Sequence, residues 1–87
     1  PQQSLFLLNN PFIIDQSKAI AARLEKVEPA QRVALAYQLL FSREPGPVEL
    51  ELGNRYLKGQ DAETGPLSRT ERYAQALLAS SEFLFVE

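Results

Sequence analysis

Proline has a fixed φ and no backbone N–H, so it suits the first turn of a helix and breaks a helix anywhere further in. The chain meets this rule at Asn10-Pro11, Glu28-Pro29 and Gly46-Pro47, and each proline is followed by a run of helical periodicity. Three helices are therefore expected to begin at Pro11, Pro29 and Pro47. At Pro11 the asparagine side chain is a good N-cap acceptor for the orphan amides of the first turn. At about 100° per residue, Ile13, Ile20, Leu24 and Val27 share one face and Asp15, Lys18, Ala22 and Glu25 the other, the pattern of a surface helix with a buried stripe. From Pro29 to Ser42, Val33, Ala36, Tyr37 and Leu40 form one stripe while Leu35 and Leu39 lie roughly opposite, which predicts a central helix with apolar material on two sides. The run from Pro47 to Lys58 places Leu50, Gly53 and Leu57 on one side and Val48, Leu52 and Tyr56 on another. Gly59 is expected to cap it, and Gly53 to permit a close helix contact.

A fourth helix is signalled differently. Ser68 followed by Glu71 fits the capping box, in which the serine oxygen and the glutamate carboxylate each satisfy an amide of the other. Its inward face is expected to hold Tyr73, Ala76 and Leu77, and Leu5, Phe6 and Leu8 point to a short helix before Pro11. The fold class that follows is all-α, a small bundle or orthogonal array of four main helices plus a short N-terminal helix, forming a single domain over residues 1–87. No strand is expected.

Composition then limits function. The chain has no cysteine and no histidine, so thiolate metal sites, iron–sulfur clusters, cysteine nucleophiles, histidine bases and Cys-x-x-Cys-His haem attachment have no residues to build on. Nine basic against eleven acidic side chains give a net charge of -2, which supplies no field for a nucleic-acid backbone. The apolar opening, SLFLLNNPFII, is split by Asn9-Asn10-Pro11 into runs far shorter than the roughly 20 residues of a membrane span. Asp61 and Glu63 resemble the start of a calcium loop, but Arg72 stands where the closing acid belongs. Ser80-Ser81 has no base and no nucleophile elbow. Glu49 and Glu51, two positions apart on a helix, point away from each other, and Arg55, Lys58, Arg69 and Arg72 are interleaved with acids as a mixed surface rather than an anion site. Arg43, ending the second helix, suits the negative helix terminus and can reach Glu49 or Glu51 as a clamp on the turn.

Three blocks, PQQSLFLLNNPFIIDQSKAIAARL, LLFSREPGPVELELGNRYL and YAQALLASSEFLFVE, together resemble the C-terminal part of a planctomycete-specific domain of unknown function found in large cytochrome c-associated proteins. The most specific pieces are Asn9-Asn10-Pro11-Phe12, Arg43-Glu44-Pro45 followed by Glu49-Leu50, and Glu82-Phe83-Leu84-Phe85-Val86. The chain departs from the family at Ala79-Ser80-Ser81, where that family tends to carry asparagines. The resemblance implies a piece of a longer, exported or periplasmic protein whose haem-binding domains lie upstream, and it implies no activity for this piece.

The expected function is accordingly a structural or protein-interaction module, without enzymatic activity and without cofactor or metal. It would dock on the rest of its parent chain or on another protein, with neither nucleic acid nor membrane as partner. Leu35, Leu39, Phe83 and Phe85 are the candidate interaction residues, and a homodimer of the excised domain is the expected way to cover them. Asn10, Pro11, Arg43, Pro47, Ser68 and Glu71 are the candidate structural residues. The alternative is a non-catalytic contribution of binding residues, with Arg43, Tyr56 and Tyr73 as candidates, to an active site shared with upstream domains. Lacking thiolate and imidazole, the isolated domain should take up neither zinc nor haem stoichiometrically in titration calorimetry; a micromolar site for either would overturn this expectation.

Overall fold

The computed structural model describes residues 10–59 and 67–80. Among them stand four α-helices, α1 (Pro11–Leu24), α2 (Arg32–Phe41), α3 (Pro47–Leu57) and α4 (Arg69–Ser80), with a 3-10 turn at Pro29–Gln31 and no strand. The fold class is all-α. The expected short first helix falls on residues 1–9 and the Phe83 to Val86 tail on 81–87, both outside the described residues.

Helix α1 begins as its sequence dictates. Asn10 Oδ1 accepts from the Phe12 amide at 2.8 Å, and Pro11 occupies the first helical position. Ile13, Ser17, Ile20, Ala21 and Leu24 face inward. Ser17 is wholly buried, a burden its hydroxyl lifts by donating to the Ile13 carbonyl at 2.7 Å. The helix stops at Leu24, short of Val27, with Glu25 as its cap. The last amides tighten into Lys26 to Arg23 and Val27 to Leu24 bonds.

The second element departs from expectation at its start. Glu28 supplies no capping bond from its side chain, and the chain winds as a 3-10 turn in which the Arg32 amide reaches Pro29, before α2 proper begins at Arg32. Val33, Ala36 and Tyr37 are buried, Leu40 half-buried, and α2 packs on the other three helices, the central position its two-sided pattern predicts. It closes at Ser42 in the left-handed conformation, φ 57°, with the Ser42 amide donating to Gln38. Gly59, by contrast, does not adopt positive φ: α3 ends at Leu57, Lys58 caps it in helical geometry, and the Gly59 amide turns back to Tyr56.

Most of the core comes from α1 and α4, which form the most extensive helix pair. Helix α4 contributes Tyr73, Ala74, Leu77, Leu78 and Ala79. Ala76, expected inside, is exposed, since the buried face is centred on Ala74 and Leu78 rather than on the Tyr73–Ala76 edge. Its start carries the complete capping box, with the Ser68 amide donating to Glu71 Oε1 at 2.9 Å and the Glu71 amide to Ser68 Oγ at 3.1 Å.

Helix α3 is attached differently, with Gly53 as its one buried residue. A Cβ at Gly53 would lie 2.5 Å from the Tyr73 hydroxyl and 2.7 Å from Val33 Cγ2. Val33 is wholly buried and β-branched, so its methyl has no room to move aside. Gly53→Ala should therefore destabilise the protein by about 1–3 kcal/mol through overpacking, measured by denaturant unfolding, whereas Asn54→Ala next to it should change stability far less.

Candidate functional site

Three helices bring aromatic side chains together beside Gly53. Tyr37 of α2, Tyr56 of α3 and Tyr73 of α4 line a groove of about 320 Å³ with Gly53, Glu49 and Arg72, and Leu52 and Ala76 complete its apolar sides. Tyr56 stacks on Tyr73, with ring centroids 6.1 Å apart and planes inclined by 26°. From α4, Arg69 lies over the Tyr56 ring at 4.7 Å and donates to the Tyr56 carbonyl at 3.1 Å, so a partly exposed tyrosine is held in place.

At one end of the groove, a single carboxylate fixes the turn between α2 and α3. Arg43 donates from both terminal nitrogens to Glu49, at 3.0 and 3.1 Å, and also to the Glu44 carbonyl at 2.9 Å. Glu49 in turn accepts from the Gly46 amide at 2.7 Å, which satisfies the start of α3. The Arg43 guanidinium lies within 5.3 Å of the Tyr37 ring centre and 5.6 Å of that of Phe41. The Arg43 hydrogen bonds, followed by the Gly46 amide, pull the Glu49 carboxyl from its ordinary 4.5 to about 2.

Burial pushes the Tyr73 phenol up, and the neighbouring Tyr37 and Glu49 add to the shift. Tyr37 is raised for the same first reason and by Glu49, with Arg43 acting in the opposite direction. Both phenols therefore remain neutral donors across the physiological range.

The sequence-derived candidates are distributed as follows. Tyr56 and Tyr73 meet across the groove, and Arg43 reaches it through Glu49. Tyr37, Glu49 and Gly53 join them from positions that helical periodicity reads only as core stripe, solvated face and close contact. Leu35 is half-buried against the core, and Leu39 lines a separate, larger groove of about 650 Å³ together with Phe12, Ile13 and Ile20. Phe83 and Phe85 lie outside the described residues. Pro47 takes the first position of α3. The basic side chains do not pool. Arg55 pairs with Glu51 at 2.8 Å, Arg69 is engaged with Tyr56, and Glu49 and Glu51 bind different arginines. Ser80 donates back to the Leu77 carbonyl, an ordinary end-of-helix contact. Among the described residues no cluster of acids could hold a metal ion, and no helix is long and apolar enough to cross a membrane.

These features define a small all-α domain with an aromatic groove between α3 and α4. A family model matches residues 1–57, and the chain belongs to that family, PSD1, proteins of unknown function (DUF1553). The match takes in Asn9-Asn10-Pro11-Phe12 and the Arg43 to Leu50 region, and ends with α3. Neither a curated protein nor a solved structure matches the chain.

The lowered Glu49 value has a direct consequence for acid stability. A carboxyl with a folded pKa below its unfolded one stabilises fully above about 4.5, and that contribution is lost as the pH falls through about 2. Arg43→Ala and Glu49→Gln should both lower the melting temperature at pH 7, and the gap to the unaltered protein should close toward pH 2 in thermal melts followed by circular dichroism. A gap independent of pH would mean that the pair contributes nothing through its charge.

Proposed function

We propose that the chain is a structural and protein-interaction module, without catalysis of its own, that docks on the rest of a longer parent chain or on a partner protein. The observation that carries this reading is the outer face of α3. Val48 and Leu52 are 66% and 56% exposed, and Tyr56, 38% exposed, lies on the same side. Val48, Leu52 and Tyr56 recur at every fourth position and so form one continuous apolar row along the helix. Single exposed apolar residues are ordinary; a row along an element that buries only a glycine is an unused packing face. The parent chain, on the resemblance of the sequence blocks, is a large exported protein of planctomycetes associated with a cytochrome c domain.

The alternative, a contribution of binding residues to an active site shared with upstream domains, draws support from Tyr56 and Tyr73 lining one groove. Arg43, its third candidate, is tied to Glu49 and Glu44. The interaction reading accounts for more of the surface.

Leu52→Glu and Val48→Asp alter exposed positions away from the core and should leave folding stability within about 0.5 kcal/mol. Each should weaken retention of the chain by a separately expressed upstream portion of its parent at least tenfold in co-purification. Equal retention of the variants, or no complex with the unaltered chain, would sink the proposal.

A further inference from the structure

The larger groove, of about 650 Å³, runs along α1. Helix α1 lines it from Asn10 to Arg23, joined by Leu39 and Leu40 of α2 and Leu78 of α4, and α3 takes no part. Its floor belongs to the core, since Ile13, Ile20 and Leu78 are buried. Phe12, 66% exposed, and half-buried Leu39 add apolar surface that the described helices leave uncovered. In the last turn of α1, Arg23 is exposed, and its guanidinium pairs with no acid among the described residues.

The sequence after α4 matches this groove in position, length and charge. Residues 81–87, outside the described residues, read Ser-Glu-Phe-Leu-Phe-Val-Glu and follow α4 directly. Leu78 lines the groove two residues before α4 ends at Ser80, so the segment starts beside it. The α1 wall from Asn10 to Arg23 is about 20 Å long at 1.5 Å per residue, and seven extended residues reach about 23 Å. An extended course sets Phe83 and Phe85 on one side of the segment, and Glu82 and Glu87 flank the apolar run. Residues 1–9 also adjoin the groove, at Asn10, but PQQSLFLLN carries no acidic side chain to answer Arg23. A separate molecule competes only at its free concentration, whereas a segment tethered beside the wall acts at an effective concentration on the order of millimolar.

We propose that residues 81–87 cover the α1 groove of their own chain, lying extended with Phe83 and Phe85 against Ile20 and Leu39 and with a flanking carboxylate, Glu82 or Glu87, on Arg23. Leu39, Phe83 and Phe85 then meet within one molecule instead of across a dimer. The apolar row of α3 is left as the outward docking face, and the two readings stand independently because groove and row lie on different helices.

The test uses the whole 87-residue chain. Nuclear Overhauser effects should join the ring protons of Phe83 or Phe85 to the methyl groups of Ile20 and Leu39. In a mixture of labelled and unlabelled chains they should arise within one chain only. Chymotrypsin should cleave after Phe83 about tenfold more slowly than in a free peptide of residues 78–87, because a docked segment is cut only when it opens. Arg23→Gln, a change at an exposed position, should raise that rate about two- to fivefold, the loss expected for one exposed ion pair. Contacts found only between chains, contacts from Leu5 or Phe6 in place of Phe83 and Phe85, cleavage as fast as in the free peptide, or a rate indifferent to Arg23→Gln would overturn the proposal. None of these results bears on retention through α3, which Leu52→Glu tests separately.

Discussion

The placement of α3 depends on the absence of one side chain. Gly53 allows α3 to approach Tyr73 and Val33 more closely than any Cβ would permit, and no other α3 residue is buried. From that contact follow the stacking of Tyr56 on Tyr73, the shape of the groove and the outward turn of Val48 and Leu52. A helix anchored on a glycine gains almost no hydrophobic energy from its anchor, so its ends must be held by other means. They are: Glu49 and Arg43 secure the beginning, while Arg69 reaches from α4 to the last turn.

The Arg43–Glu49 pair is partly exposed, a setting in which ion pairs contribute little by themselves. Its value lies in what it joins. One carboxylate serves the guanidinium of the incoming turn and the amide that opens α3, immediately after a serine held in left-handed geometry. The same arginine covers the Tyr37 and Phe41 rings, which themselves lie 5.1 Å apart.

What could be read from the sequence was local. Asn10 before Pro11, Gly46 before Pro47 and the Ser68–Glu71 box each act within one helical turn, and their hydrogen bonds form where the residue types require them. The apolar stripe of α2 was equally legible, because a central helix buries what its period marks. Errors arose where tertiary packing decides. Ala76 satisfies an inward period but lies at the margin of its helix's contacts, and Gly59 does not take left-handed form, its amide turning back to the Tyr56 carbonyl. The groove was only half visible. Tyr56 and Tyr73 could be named as polar candidates, but no pattern along the chain announces that Tyr37 joins them across α2, or that Gly53 leaves room between them.

The partnership of α1 with α4 joins the first and last of the described helices, and it forms the larger part of the core. Such a contact closes a long loop, whose entropy must be lost before burial returns anything. During synthesis, Leu24, Ile20 and Ile13 emerge well before Leu77 and Leu78, on the helix that α1 contacts most extensively among the described elements. Among the described helices, the α1–α4 contact therefore forms only once α4 has been made.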